Sequence, residues 1–107
     1  MTLGYTPTRG PSEASPDVLR ARDPQVTGPE LMKLAAHRDP YVRAAVAFRG
    51  DCPPGALISL GHDQQLIVLE SLISNPKTPS SVIRNLGDHR NPQVAGLAVQ
   101  RLRNSFR

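Results

Sequence analysis

The chain has 107 residues and a net charge of +4, with 38% hydrophobic residues, 4% aromatic, no Trp and one cysteine. That length allows one domain, the single thiol excludes an internal disulfide or a cysteine-built metal cage, and no apolar run approaches the roughly 20 residues of a membrane span. The scarcity of aromatics disfavours a β-sandwich, whereas apolar residues drawn mostly from Leu, Ile, Val and Ala suit close helix–helix packing.

Residues 1–14 carry Gly4, Pro7, Gly10 and Pro11 without apolar periodicity and read as a flexible arm. Met1 to Gly10 has no apolar leader core, so the expected location is cytoplasmic. Residues 15–107 then read as an all-α domain. Ser15 serves as a cap, Pro16 as a first helical residue and Asp17 as an acid at the positive end of the dipole, opening a short helix to about Arg22. The same device recurs along the chain. Gly28-Pro29 opens a helix over 30–36, where Thr27 and Glu30 can form a capping box, and Asp39-Pro40 opens one over 41–49. Pro54 opens 55–60, closed by Gly61; Asp63 caps 64–74; Thr78-Pro79 opens 80–86, closed by Gly87; and Asn91-Pro92 opens the last helix, 93 to about 104. Proline here starts helices instead of breaking them, as its fixed φ and missing N–H allow.

Pro29, Pro54 and Pro79 are evenly spaced, and each precedes a short apolar helix followed by a second, striped one. His37-Arg38-Asp39-Pro40-Tyr41-Val42 is echoed by His89-Arg90-Asn91-Pro92-Gln93-Val94, 52 positions later, and Gly61-His62-Asp63 stands between them. The expected fold is therefore an all-α, short helical-repeat solenoid of about three two-helix repeats, approximately 27–51, 52–76 and 77–104. Asp39-Pro40-Tyr41-Val42-Arg43-Ala44-Ala45-Val46-Ala47, with the loop Asn75-Pro76-Lys77-Thr78-Pro79, resembles the leucine-rich repeat variant family, whose cousins are HEAT-like repeats. The resemblance covers about 27–104 and implies a right-handed superhelix of alternating α and short 3₁₀ helices. Some members carry a Cys-rich iron–sulfur segment, which Cys52 alone cannot supply. Function does not follow from such a scaffold.

No residue set calls for catalysis, a metal or a cofactor. His37, His62 and His89 recur, but stacked helices stand about 8–10 Å apart, too far for shared ligation of one ion; helix-end and loop roles fit them better. Asp39 and Asp63 sit where N-caps belong, and Asp88 precedes a cap at Asn91. Cys52, followed by Pro53-Pro54, reads as a bystander thiol in a loop.

The expected function is a non-enzymatic protein-binding scaffold. Val42, Ala45 and Val46 turn inward, leaving Tyr41, Arg43 and Arg49 on the second helix of the first repeat as the candidate protein-binding residues. Changing Arg43 and Arg49 to Glu is expected to abolish partner capture without unfolding the chain. The charge is uneven: residues 1–27 balance, 28–76 carry −1, and 77–107 carry +5. Lys77, Arg84, Arg90, Arg101, Arg103 and Arg107 are thus either a capping surface at the end of the stack or an alternative, nucleic-acid-binding patch. Self-association through an exposed terminal face is the third reading.

Overall fold

The computed structural model describes residues 15–105; the stretch read as an arm, 1–14, lies outside them, as do Phe106 and Arg107. The described residues form seven α-helices and no strand. In chain order they are α1 (Pro16–Arg22), α2 (Gly28–Leu34), α3 (Pro40–Ala47), α4 (Pro54–Leu60), α5 (Leu66–Ser74), α6 (Ser80–Leu86) and α7 (Pro92–Ser105). Among the described residues no helix is 3₁₀. That character is limited to i→i+3 bonds at the ends of the short helices, such as Ala56 N–H to the Pro53 carbonyl at 3.0 Å, opening α4, and His62 N–H to that of Ser59 at 3.1 Å, closing it. No described helix is long and apolar enough to cross a membrane.

Local capping sets most helix starts. Ser15 Oγ accepts from the Val18 amide at 3.3 Å, and Asp39 Oδ1 accepts from that of Tyr41 at 2.8 Å. Thr27 Oγ1 takes the Glu30 amide at 3.3 Å, but the Glu30 carboxylate turns to Arg20, so only half of the expected capping box forms. Pro16, Pro29, Pro40 and Pro54 each stand within the first two helical residues. Two starts differ from expectation by two residues: α2 begins at Gly28 and not at 30, and α5 at Leu66 and not at 64. Gln65 is the cap residue of α5 and makes no side-chain cap bond; Asp63 accepts the Gln65 amide at 2.9 Å and the Arg43 guanidinium instead.

The helices α1, α3, α5 and α7 lie side by side, each touching the next, and α2, α4 and α6 pack along them. Between them runs one core: Val18 of α1, Val42 and Val46 of α3, Val68 and Leu72 of α5, and Val94 and Ala98 of α7, all buried against Leu31, Leu57 and Ile83 of α2, α4 and α6. Helices of seven to nine residues are marginal on their own, so this burial is what keeps them folded. The starts of α2, α4 and α6 fall at 28, 54 and 80, and those of α3, α5 and α7 at 40, 66 and 92, so both series advance by 26 positions. The prolines suggest one position fewer because Pro29, Pro54 and Pro79 take successive places: second helical residue, first helical residue and cap.

The C-cap glycines also act differently from what the sequence suggests. Gly61 and Gly87 have φ of −63°, ordinary right-handed backbone. At Gly61 the reason is close approach: a Cβ there would lie 2.9 Å from Cγ1 of Val82 on α6. Val is stiff at χ1, so the pair must separate. Gly61→Ala is expected to cost about 1–2 kcal/mol. Gly50→Ala, with nothing within 4 Å of the added methyl, is expected to be neutral or slightly stabilising. Urea titration checks both, and equal midpoints for the two variants would refute the close-contact reading.

Candidate functional site

An α-helix leaves its last carbonyls unpaired, at the negative end of its dipole. Arg49 answers that need for α1: its Nη1 donates to the carbonyls of Ala21 and Asp23, both at 2.9 Å. Arg101 does the same for α5, donating from Nη1 to the carbonyls of Ile73 and, at 2.9 Å, Asn75. Between the two, Asn75 donates through Nδ2 to the carbonyls of Ala47, at 2.7 Å, and Arg49, at 2.8 Å, at the end of α3. Residues 49, 75 and 101 thus each reach back 28 and 26 positions, to the ends of α1, α3 and α5 in turn. Asn75 is 1% exposed, and its Oδ1 accepts from the Lys77 amide at 2.9 Å, so the buried amide is satisfied.

Two of the three residues read as protein-binding are therefore committed inside the molecule. The remaining fork of Arg49 grips Asp51, Nε–Oδ1 at 2.7 Å and Nη2–Oδ2 at 2.8 Å, and its side chain is only 11% exposed. That bidentate hydrogen bond holds Asp51 below the usual carboxylate range and pushes Arg49 up. Arg43 repeats the geometry. Its Nε and Nη2 hold Asp63 at 2.6 and 3.1 Å, while Nη1 donates to the carbonyls of His37 and Arg38 at 2.8 and 3.0 Å. Changing both arginines to Glu would strip these staples and place carboxylates against carbonyl oxygens, so that variant is expected to be destabilised, and loss of capture in it would not report on binding alone. Tyr41 is half-buried on α3.

The histidines share a role, though not as three equivalents. His37 Nδ1 accepts the Asp39 amide and His89 Nδ1 the Asn91 amide, both at 3.0 Å. At the matching place between them Asp63 Oδ1 accepts the Gln65 amide at 2.9 Å, and His62 is merely exposed beside it. His37 also meets the Asp17 carboxylate through Nε2 at 2.9 Å, pinning α1 from the other end. Among the described residues no cluster of three or more His, Cys, Asp or Glu could hold a metal ion.

The basic residues do not form one cluster. Arg101 lies against the α5–α6 connection, with Nη2 on the Pro76 carbonyl at 3.4 Å, which sets it near Lys77. Arg90, just before α7, sits about 15 Å from Arg101 along that helix at about 1.5 Å per residue, whereas α6, which carries Arg84, runs into Gly87 beside Val99. Lys77, Arg84, Arg90 and Arg103 are exposed, and Arg107 lies outside the described residues.

An apolar groove of about 350 Å³ opens elsewhere, between α3 and α5. Tyr41, Ala44, Ala45 and Phe48 line it from α3 and Ile67 and Ser71 from α5, with Arg22 and Arg49 at one edge. Ala45, expected to turn inward, faces this groove, and Ile67, off the buried stripe, forms its far wall. Phe48 is 68% exposed. The sequence reading missed it, although it stands seven positions after Tyr41 and hence on the same helix face.

Cys52 is buried in the core, at the place that Thr78 takes 26 positions later and Val26 takes 26 positions before. Burial, aided by Asp51, pushes its thiol up to about 11. No family model matches the sequence, and no curated protein or solved structure matches it either.

Asn75→Ala leaves the Ala47 carbonyl without its donor and the Arg49 carbonyl with the Cys52 amide alone, at 3.3 Å, and should cost about 2–4 kcal/mol, against no more than about 0.5 kcal/mol for Arg103→Ala; similar urea midpoints would remove Asn75 from the clamp. Cys52 should be alkylated at pH 8 about a hundredfold or more slowly in the folded chain than in urea, since thiolate is the reacting form. Equal rates would show the thiol to be accessible.

Proposed function

We infer that the chain is a helical-repeat solenoid of the leucine-rich-repeat-variant kind that binds another protein in the α3–α5 groove and carries no chemistry of its own. The 26-residue step of helix starts and the recurring clamp at residues 49, 75 and 101 support the repeat architecture. The observation that carries the binding reading is Phe48. A phenylalanine 68% exposed on the rim of a groove otherwise lined by Tyr41, Ala44, Ala45 and Ile67 contributes little to the core and offers an aromatic anchor to a partner. Tyr41 thus keeps the binding role read from the sequence, and Phe48 and Ile67 take over from Arg43 and Arg49. A cytoplasmic partner fits the lone reduced thiol.

A photo-crosslinking side chain at position 71, on the floor of the groove, tests this in cells. A discrete adduct is expected, and Phe48→Asp should abolish it while leaving the far-ultraviolet circular dichroism unchanged. No adduct, or one undiminished by Phe48→Asp, would overturn the placement. An adduct of twice the chain mass would make the partner a second copy.

A further inference from the structure

The terminal α6–α7 pair presents a second surface, distinct from the α3–α5 groove. On α4 and just after it, Ile58, Gly61 and His62 face α6 across a pocket of about 280 Å³. The residues 26 positions later, Arg84, Gly87 and Asp88, hold the same places on α6 and just after it, and among the described residues no helix follows α7 to stand against α6 as α6 stands against α4. On α7, Ala95, Val99 and Arg103 recur every four residues and so share one face. With Gly96 and Gln100 they line an open groove of about 500 Å³. Gly87 joins the two halves: a Cβ there would lie 3.6 Å from Cγ2 of Val99, so Arg84 and Val99 border one continuous surface. Val99 is 39% exposed.

Charge distinguishes this face from the rest of the molecule. Earlier in the chain three arginines are matched, Arg20 with Glu30, Arg43 with Asp63 and Arg49 with Asp51, while Lys33 and Arg38 are exposed outside any described ion pair among five acidic side chains over 28–76. From residue 77 onward Asp88 is the sole acidic side chain. Lys77, Arg84, Arg90 and Arg103 are exposed and enter no ion pair among the described residues. A narrow apolar strip with Arg84 on one side and Arg103 at its end has the complement of a helix carrying leucines on one face and carboxylates on its flanks.

We propose that the α6–α7 face docks an acidic amphipathic helix of a partner protein, laid along α7 with its apolar side on Ala95 and Val99 and its carboxylates on Arg84 and Arg103. A nucleic acid fits less well. Arg90 and Arg103 stand at opposite ends of α7, no described aromatic residue stands among the cations to stack a base, and the apolar strip offers a phosphate nothing.

The test is fluorescence anisotropy with the full chain and a labelled synthetic amphipathic helical peptide of leucines and glutamates. Its glutamate-to-lysine counterpart and a labelled duplex DNA serve as parallel probes, at low and moderate salt. The acidic peptide is expected to bind, the lysine peptide not to bind. Arg84→Glu with Arg103→Glu should weaken binding about tenfold or more, and Val99→Asp should do likewise with circular dichroism unchanged. Phe48→Asp should leave it intact, so a failure of the α3–α5 groove is told apart from a failure here. No binding of the acidic peptide, binding unaffected by Val99→Asp, or tighter binding of the DNA would overturn the proposal.

Discussion

Everything else in this molecule depends on how the C-terminal ends of α1, α3 and α5 are satisfied. A helix that stops inside a packed structure leaves carbonyls which water cannot reach, and each one left unpaired costs a sizeable part of a small protein's stability. Arg49, Asn75 and Arg101 meet that demand one unit later in the chain. Ending one helix and docking the next are therefore a single event. This is why helices as short as α1, with only Val18 and Ala21 buried, can be held in place. The exchange of Asn for Arg at the middle position shows what the site requires. The carboxamide carries no charge, yet reaches the same two carbonyls, so the requirement is for two N–H donors on one nitrogen. Attraction of a cation to the helix dipole is an addition at 49 and 101.

Among the described residues the series stops at each end for a different reason. Position 23, one step before Arg49, is Asp, whose carboxylate offers no N–H and instead accepts the Gln25 amide at 2.8 Å. At the other end α7 runs on to Ser105, so the carbonyls of Val99 and Arg101, which a further clamp would need, lie inside a helix that already uses them. Among the described residues, the rule that joins α1, α3, α5 and α7 finds no donor at position 23 and no free acceptor at 99 and 101. What α7 presents beyond itself is side chain alone, Val99 and Arg103 among it.

Much of this was legible in the sequence wherever the interaction is local. Ser15, Thr27 and Asp39 act within three residues of themselves, so cap chemistry placed them. Long-range partners are another matter. Nothing in the residues around Arg43 or Arg49 announces that their guanidinium groups will meet Asp63 or the Ala21 carbonyl, 20 and 28 positions away, and a charged residue on a helix reads as solvated. The relation of Arg49 to Arg101, two steps of the series apart, was present all along. It was obscured because the middle member is Asn75, and alignment by residue type does not equate Asn with Arg. The histidines mislead for the same reason. Asp63, not His62, takes the part of His37 and His89, since a carboxylate oxygen and an imidazole Nδ1 accept the same amide. Matching what a side chain donates or accepts recovers the 26-residue step; matching its letter does not.

That distinction bears directly on function. A count of charges along the chain marks thirteen Lys and Arg as equally available, but the structure divides them by what they already hold. Arg43 and Arg49 have four hydrogen bonds each to carboxylate and backbone oxygens, and a partner could recruit them only by dismantling the stack. The exposed cations Arg84, Arg90 and Arg103 bear no such duty, and neither do Tyr41, Phe48 and Ile67 around the α3–α5 groove. Selection for stability would keep the first group whatever the protein binds. On the proposed reading, binding specificity resides in the second group, with Phe48 and the exposed arginines freest to vary, because Tyr41 and Ile67 also pack against the core.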